Sequence, residues 1–113
     1  MNLSDLAARL DLRVYAGEGR LDRTVGGGYA GDLLSDVMAH GRKDDLWITI
    51  QIHPNIVAVA VLKELAAIVI ANGREPAAET VEQAEREGVP ILGTTVHTYE
   101  LAGRLHGLDV KGS

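Results

Sequence analysis

Three short apolar segments, each followed by a stretch with helical character, constrain this chain more than any other feature of its sequence. Two of them, 46–52 and 67–71, are rich in β-branched residues, and the third lies at 89–92. Strands that alternate with helices over short connections predict a parallel sheet with right-handed crossovers, and near-continuous apolar strands indicate a sheet covered on both faces. The helical stretches are expected over 55–65, 76–87 and 97–105.

The amino-terminal part of the chain is less regular. A helix is expected over 3–10 with Ser4 as its N-cap, and a short strand over 12–15. Six of the 13 glycines then lie between residues 17 and 31. Such a density indicates backbone that needs positive φ or that approaches a neighbouring group closely.

Two further helix starts carry residues that commonly cap helices. Asp32 precedes a helix expected over 33–40, which Gly41 closes. Thr95 precedes the last helix and is expected to cap it. The sequence therefore predicts side-chain caps at both positions.

The composition limits the class of protein and of site. A chain of 113 residues buries only about two-thirds of its unfolded surface, so one domain is expected. Apolar residues make up 46% and charged residues 24%, which is typical of a globular protein. There is no cysteine, which excludes disulfides, zinc–thiolate sites and cysteine catalysis within this chain.

The charge pattern argues against nucleic acid and membrane partners. The net charge is −5 and neither half of the chain is basic, so a surface that tracks nucleic acid is not expected. The most apolar region, 56–71, is interrupted by Lys63 and Glu64 and is too short to span a bilayer. The first residues include Asp5 and no unbroken apolar stretch, so we expect no signal peptide and a cytoplasmic location.

Polar side chains follow each of the three central strands at the point where the strand ends. In open α/β sheets ligands bind beyond the carboxyl ends of the strands, where the following helices also present N–H groups. Capping and turn roles are the alternative at each position, and for His53 a structural or surface role is favoured over catalysis. The candidate ligand-binding residues at this edge are Gln51, His53, Asn55, Asn72, Thr94 and Thr95.

The glycine-rich segment fits neither common phosphate-binding motif. No Lys follows its glycines as in a Walker A loop, and no strand of usual length leads into it as a dinucleotide-binding motif requires. We expect it beside the polar edge, where it can cradle an anion or the backbone of a partner subunit. A tight turn packed against the sheet is the alternative. The candidate contact residues are Asp22, Arg23, Thr24, Gly26, Gly27, Gly28 and Asp32.

Other constellations that carry chemistry are not recognisable in the sequence. The four histidines lack metal-ligand spacing, so neither a metal site nor a cofactor is expected. No serine has the context of a nucleophile elbow, and no pair of titratable groups suggests acid–base catalysis. No catalytic residue is predicted.

Four separated segments, in order along the chain, resemble the DRTGG domain family. The first is DRTVGGG (22–28), in which an extra Val and Gly widen the segment that gives the family its name. The others are GDLLSDVMA (31–39), WITIQIHPNIVAVAVL (47–62) and GVPILGTTVHTYELAGRL (88–105). Together they cover nearly the whole chain, which is identified as a stand-alone member of that family.

The resemblance implies a fold and a role. The fold would be a small α/β sandwich with a mainly parallel central sheet and flanking helices, similar to the amino-terminal domain of HPr kinase/phosphorylase. One domain over 1–107 and a homodimer would follow. The chain after this domain, 108–113, is expected from its own sequence to be a frayed tail. In larger relatives the domain accompanies CBS pairs in regulated pyrophosphatases, which implies a regulatory or dimerising module. The kinase activity of HPr kinase belongs to a separate P-loop domain, and this sequence has no P-loop.

Three functions stay open at this point. The leading hypothesis is a non-catalytic cytoplasmic homodimer that binds a small ligand, such as an adenine nucleotide, or a regulatory or metabolic protein. The second is a purely structural interaction domain, with Asp22, Arg23 and the glycines at the subunit contact. The third is an enzyme that uses His53 as acid or base near Thr94 and Thr95.

Overall fold

The computed structural model describes residues 1–112, which form five strands, five α-helices and one turn of 3₁₀-helix. The alternating strands and helices expected from the sequence are present from residue 45 onward. The elements in chain order are α1 (Leu3–Arg9), β1 (Arg13–Ala16), the 3₁₀ turn (Glu18–Arg20), β2 (Gly27–Ala30), α2 (Leu34–His40), β3 (Asp45–Thr49), α3 (Asn55–Leu62), β4 (Ala67–Ile70), α4 (Ala78–Glu87), β5 (Ile91–Gly93) and α5 (Thr98–Gly107).

The five strands form one sheet in the order β1-β5-β4-β3-β2. Strands β2 to β5 are parallel to their neighbours, whereas β1 lies antiparallel beside β5. The expected α/β fold with a mainly parallel central sheet and flanking helices is therefore confirmed. Because the four parallel strands follow one another in space as in sequence, their right-handed crossovers place α2, α3 and α4 on one face of the sheet.

Alternation along the strands creates a core on each face of the sheet. In β3, Leu46 and Ile48 are buried in a core that includes Leu6 of α1 and Leu105 of α5. The side chain of Trp47 points to the other face and is buried in the core formed with α3 and α4. A strand buried on both faces explains why the apolar runs in the sequence are nearly continuous.

Strand β2 is an element that the sequence does not predict. Its four residues, Gly-Gly-Tyr-Ala, contain no β-branched residue, so strand propensity is low. The strand forms because it pairs along β3, with Gly27 opposite Asp45. A Cβ at Gly27 would lie 2.9 Å from Oδ1 of Asp45, so the glycine permits the close approach of this side chain to β2.

Three predicted helix caps are wrong. Helix α1 begins after Asn2, whose Oδ1 accepts a hydrogen bond from the backbone N–H of Ser4 at 2.7 Å, so Ser4 is inside the helix and is not its cap. Leu33, and not Asp32, directly precedes α2, and the carboxylate of Asp32 accepts hydrogen bonds from Thr49 and Ile50 instead of capping the helix. His97, and not Thr95, is the residue that precedes α5.

The segment 108–113, expected as a frayed tail, makes defined contacts as far as residue 112. Val110 is buried against the core on the α1 and α5 face. The carbonyl oxygen of Lys111 accepts a hydrogen bond from the backbone N–H of Gly28 at 2.8 Å, and Gly112 pairs with the same strand. Ser113 lies outside the described residues. None of the helices described is both long enough and apolar enough to cross a membrane.

Candidate functional site

The carboxyl ends of β3, β4 and β5 meet at one edge of the sheet, which we call the carboxyl edge. Gln51, Asn72 and Thr94 follow these three strands closely, and parallel neighbours end on the same side. These three polar residues therefore lie at the same edge of the sheet. Their role in ligand binding stays a prediction.

A groove of about 420 Å³ opens at this edge, between the end of β5 and the beginning of β1. Of the candidate ligand-binding residues, Thr94 and Thr95 line it, whereas Gln51, His53, Asn55 and Asn72 do not. The lining also includes three arginines. The groove residues are Leu10, Asp11, Arg13, Tyr15, Gly73, Arg74, Glu75, Gly93, Thr94, Thr95, Val96 and Arg104.

Two loops that are hydrogen-bonded to each other build one side of this groove. The backbone N–H of Asn72 donates to the carbonyl oxygen of Val96 at 3.0 Å, and that of Gly73 donates to Thr94 at 2.9 Å. Asn72 and Gly73 have φ values of 64° and 71°, a left-handed conformation that asparagine and glycine adopt most readily. This pair of residues folds the chain back sharply after β4 and fixes the loop against the one after β5.

The antiparallel strand β1 supplies the opposite side. Its register places Arg13 directly beside Gly93, at the carboxyl end of β5. The guanidinium carbon of Arg13 lies 4.9 Å from the centre of the Tyr15 ring, within the range of a cation–π interaction. A Cβ at Gly93 would lie 2.5 Å from Cε2 of Tyr15, so the glycine makes room for this ring.

Gln51 and Asp32 belong to a separate polar cluster at the ends of β2 and β3. Oδ1 of Asp32 accepts hydrogen bonds from the Thr49 hydroxyl and from the backbone N–H of Ile50, both at 2.8 Å. Nε2 of Gln51 donates to the carbonyl oxygen of Asp32 at 3.0 Å. These bonds join the two strand ends, so both predicted side chains have structural partners.

His53 and Asn55 lie at the beginning of α3 rather than in the groove. The side chain of His53 is exposed, and its Nδ1 accepts a hydrogen bond from the backbone N–H of Asn55 at 3.4 Å. This bond satisfies one of the N–H groups that a helix leaves free in its first turn. The residue that directly precedes α3 is Pro54, so His53 lies one position before the cap and makes a local bond to the first helical residue.

The expected position of the glycine-rich segment is wrong for its first part, because 22–26 lies at the opposite, amino edge of the sheet. Asn2 donates from Nδ2 to Asp22 at 3.3 Å, and Thr24 forms an isolated bridge with Asn2. The backbone N–H of Gly26 donates to Asp44, directly before β3. Gly27 and Gly28 continue into β2, and a role of the segment in a subunit contact stays a prediction.

Arg23 ties this amino edge together within its own chain. Its Nη1 donates to the carbonyl oxygen of Ala66 at 3.1 Å, and its Nη2 to that of Gly88 at 3.5 Å. Ala66 directly precedes β4 and Gly88 ends α4, so one side chain links two crossover connections. Its partners are backbone carbonyls rather than Asp22.

The sequence did not point to the three arginines of the groove. Arg13 reaches it because β1 is antiparallel to β5, Arg74 follows the left-handed pair after β4, and Arg104 comes from the last turn of α5. The recognisable signal is Arg74, since it directly follows Asn-Gly at a predicted strand end. Among residues 1–112, no group of three or more His, Asp or Glu side chains is arranged to hold a metal ion.

The comparisons with known proteins agree with the fold. The family model of the DRTGG domain matches residues 5–108, so the resemblance in the sequence is confirmed. No curated protein matches the chain in sequence.

Among solved structures, the chain is similar to the CBS and DRTGG domains of the regulatory region of Clostridium perfringens pyrophosphatase, in complex with the activator diadenosine tetraphosphate. The TM-score is 0.71 at 17% sequence identity, and the match covers 92% of this chain. The chain spans 45% of that regulatory region, so it corresponds to a part of it.

Proposed function

Since this chain belongs to the DRTGG domain family, we propose that it is a non-catalytic cytoplasmic regulatory module that binds a small ligand at the carboxyl edge of its sheet. The observation that carries the proposal is the groove between β5 and β1. Its volume of about 420 Å³ falls within the range of about 300–1,000 Å³ typical of small-molecule sites. Ligand occupancy would be passed on through the loops that form the groove.

An adenine nucleotide is the ligand class that we propose. The solved pyrophosphatase regulatory region, whose fold this chain shares in part, is bound to diadenosine tetraphosphate. The groove of this chain offers the two groups that a nucleotide needs, an aromatic ring at Tyr15 and cationic side chains at Arg13 and Arg104. Rings stack on bases, and guanidinium groups pair with phosphate oxygens.

The non-catalytic part of the proposal rests on the position of His53. An enzyme that used this imidazole near Thr94 and Thr95 would need it in the groove, but His53 does not line the groove. Its Nδ1 is occupied by the backbone N–H of Asn55. An acid or base must lie within hydrogen-bond reach of the group it serves.

We propose that the module is a homodimer. Dimerisation without any ligand, as a purely structural interaction domain, is the main alternative function. Apolar side chains are exposed on the helical layer of α2 and α3, with Leu62 at 69%, Val61 at 41% and Met38 at 37% exposure. Helix α3 carries no charged residue. These features favour contact with a second protein surface, and a domain with no ligand would use them for a purely structural interaction.

Isothermal titration calorimetry separates the two functions. The protein is titrated with AMP, ADP, ATP and diadenosine tetraphosphate, and its mass is measured by light scattering with and without each ligand. The regulatory proposal expects saturable binding of at least one nucleotide at millimolar concentration or below. No heat across the panel, together with a stable dimer, would leave the structural interaction domain as the function.

A further inference from the structure

Three arginines from separate parts of the chain converge on the groove. Arg13 is the first residue of β1, Arg74 follows β4, and Arg104 lies on α5. The lining contains only two carboxylates, Asp11 and Glu75, although the whole chain has a net charge of −5. Positive charge is therefore concentrated at this site against the overall charge of the protein.

A second open depression has the opposite character. The charged residues of its lining are Asp5, Glu18 and Asp22, and it contains no Lys or Arg. An anion approaching this acidic chain is repelled there and attracted at the arginine groove. The contrast indicates that the arginine groove, rather than concave surface in general, is suited to an anionic ligand.

The partners of the three arginines leave them able to bind an anion. Arg74 bonds to a backbone carbonyl oxygen, and Arg13 and Arg104 form exposed ion pairs that an anionic ligand can replace. Nη1 of Arg74 donates to the carbonyl oxygen of Ile50 at 2.8 Å, which fixes the guanidinium while its other N–H groups stay available. Arg13 lies 3.8 Å from Glu75, and the two side chains are 71% and 68% exposed. Arg104 lies 3.3 Å from Glu100 in an i,i+4 pair whose side chains are 50% and 61% exposed. Exposed pairs of this kind contribute about 0–1 kcal/mol each.

We infer that the groove recognises a polyphosphate chain, with phosphate oxygens replacing Glu75 and Glu100 as the partners of Arg13 and Arg104. The inference rests on the proposed function and adds to it the part of the ligand that is recognised. A guanidinium can form two parallel hydrogen bonds with one phosphate. These bonds are stronger than the exposed ion pairs with Glu75 and Glu100 that they would replace. Several arginines around one groove favour a chain of phosphates over a single one.

Inorganic tripolyphosphate tests the inference because it carries the phosphates without a nucleoside. Its affinity is measured by calorimetry for the wild type and for Arg13→Gln, Arg104→Gln and Glu75→Gln. Arg86→Gln is the matched control, since Arg86 is exposed on α4 and does not line the groove. Circular dichroism of each variant establishes that it is folded.

We expect each groove arginine variant to weaken tripolyphosphate binding by about tenfold or more, as lost charge-assisted hydrogen bonds do. Glu75→Gln should strengthen binding by about two- to fivefold, because a competing carboxylate is removed. Arg86→Gln should leave the affinity within about twofold, since its charge is distant and screened. No binding, or equal weakening by Arg86→Gln and the groove variants, would overturn the inference.

ATP measured on the same variants distinguishes failure of the inference from failure of the proposed function. If ATP binds Arg13→Gln and Arg104→Gln as tightly as the wild type, polyphosphate recognition is wrong and nucleotide sensing survives. If tripolyphosphate binds through these arginines while no nucleotide binds, the inference holds and the nucleotide proposal fails.

Discussion

The guanidinium of Arg23 donates to the carbonyl oxygen of Ala66 across 43 residues of sequence, at a distance of 3.1 Å. The same side chain reaches the carbonyl oxygen of Gly88, so it joins the chain just before β4 to the end of α4. The segment that gives the family its name therefore fastens the amino edge of the sheet, opposite the groove. Within the chain, Arg23 therefore stabilises the fold.

Loss of the Arg23 side chain should destabilise the fold and leave the groove intact. Arg23→Ala removes the hydrogen-bond donor of two carbonyl oxygens. A hydrogen bond to a charged group contributes about 1.5–3 kcal/mol to stability. Because Arg23 is half-buried, we expect a loss of about 1–3 kcal/mol in the free energy of unfolding, measured by urea denaturation. Arg86→Ala, on the exposed face of α4, should change it by less than about 0.5 kcal/mol.

The same variant distinguishes a tie within the chain from a subunit contact. If Arg23→Ala leaves the free energy of unfolding unchanged but dissociates the dimer, as measured by light scattering, the stabilising role within the chain is contradicted. An interface at this residue is then supported. Unchanged affinity for ATP in Arg23→Ala is expected, because the segment and the groove lie at opposite edges.

Gly17 and Gly19 form a matched pair two residues apart. Gly17 has φ +74°, and a Cβ there would lie 2.6 Å from the backbone Cα of Pro90, whereas a Cβ at Gly19 has no neighbour within 4 Å. Gly17→Ala should therefore cost about 2 kcal/mol or more, since backbone strain alone costs about 1–3 kcal/mol. Gly19→Ala should be neutral within about 0.5 kcal/mol. Equal urea midpoints for the two variants would contradict this packing.

Asp32 and Thr49 should be energetically coupled. The Thr49 hydroxyl is buried and donates to Asp32, so Asp32→Ala leaves it without this acceptor, at a cost of about 1–3 kcal/mol. A double-mutant cycle with Thr49→Val, monitored by thermal unfolding, should give a coupling energy of about 1 kcal/mol. Additive effects would mean that Asp32 stabilises the fold in another way, such as through its hydrogen bond with the backbone N–H of Ile50.

Gly93 controls the position of the Tyr15 ring in the groove. Gly93→Ala places a Cβ 2.5 Å from Cε2 of Tyr15, so the ring must move and the groove must change shape. We expect weaker ATP binding in calorimetry, and lower stability that Tyr15→Ala partly restores in the double variant. Gly103→Ala is the control: its Cβ meets no neighbour within 4 Å, and it should stabilise α5 by about 0.5–1 kcal/mol. If Gly93→Ala binds ATP as tightly as the wild type, Tyr15 does not take part in ATP binding.

The sequence predicts the central strands and helices because their patterns are local. Strands β3 to β5 are apolar runs and α4 is an amphipathic segment, so propensity and burial agree there. Strand β2 is missed because it exists only through its pairing with β3, and two of its four residues are glycines. The cap predicted at Asp32 fails because a tertiary partner, Thr49, takes the carboxylate.

The candidate site is predicted only in part, because some of its residues are marked by local patterns and others reach it only through tertiary structure. The rule that ligands bind beyond parallel strands finds Thr94 and Thr95. It does not find Arg13, which lies at the beginning of a strand and reaches the edge only because β1 runs antiparallel to β5. Arg104 is separated from the strand ends by more than a turn of α5, so no local pattern connects it to the groove.

Backbone amide NMR during titration with ATP tests the central claim, ligand binding at the carboxyl edge, most directly. The account predicts saturable chemical-shift changes centred on the amides of Gly73, Thr94 and Thr95, with those of Arg23 and Thr24 unchanged. Changes centred on the amino edge instead, or no saturable change at millimolar ATP, would contradict it.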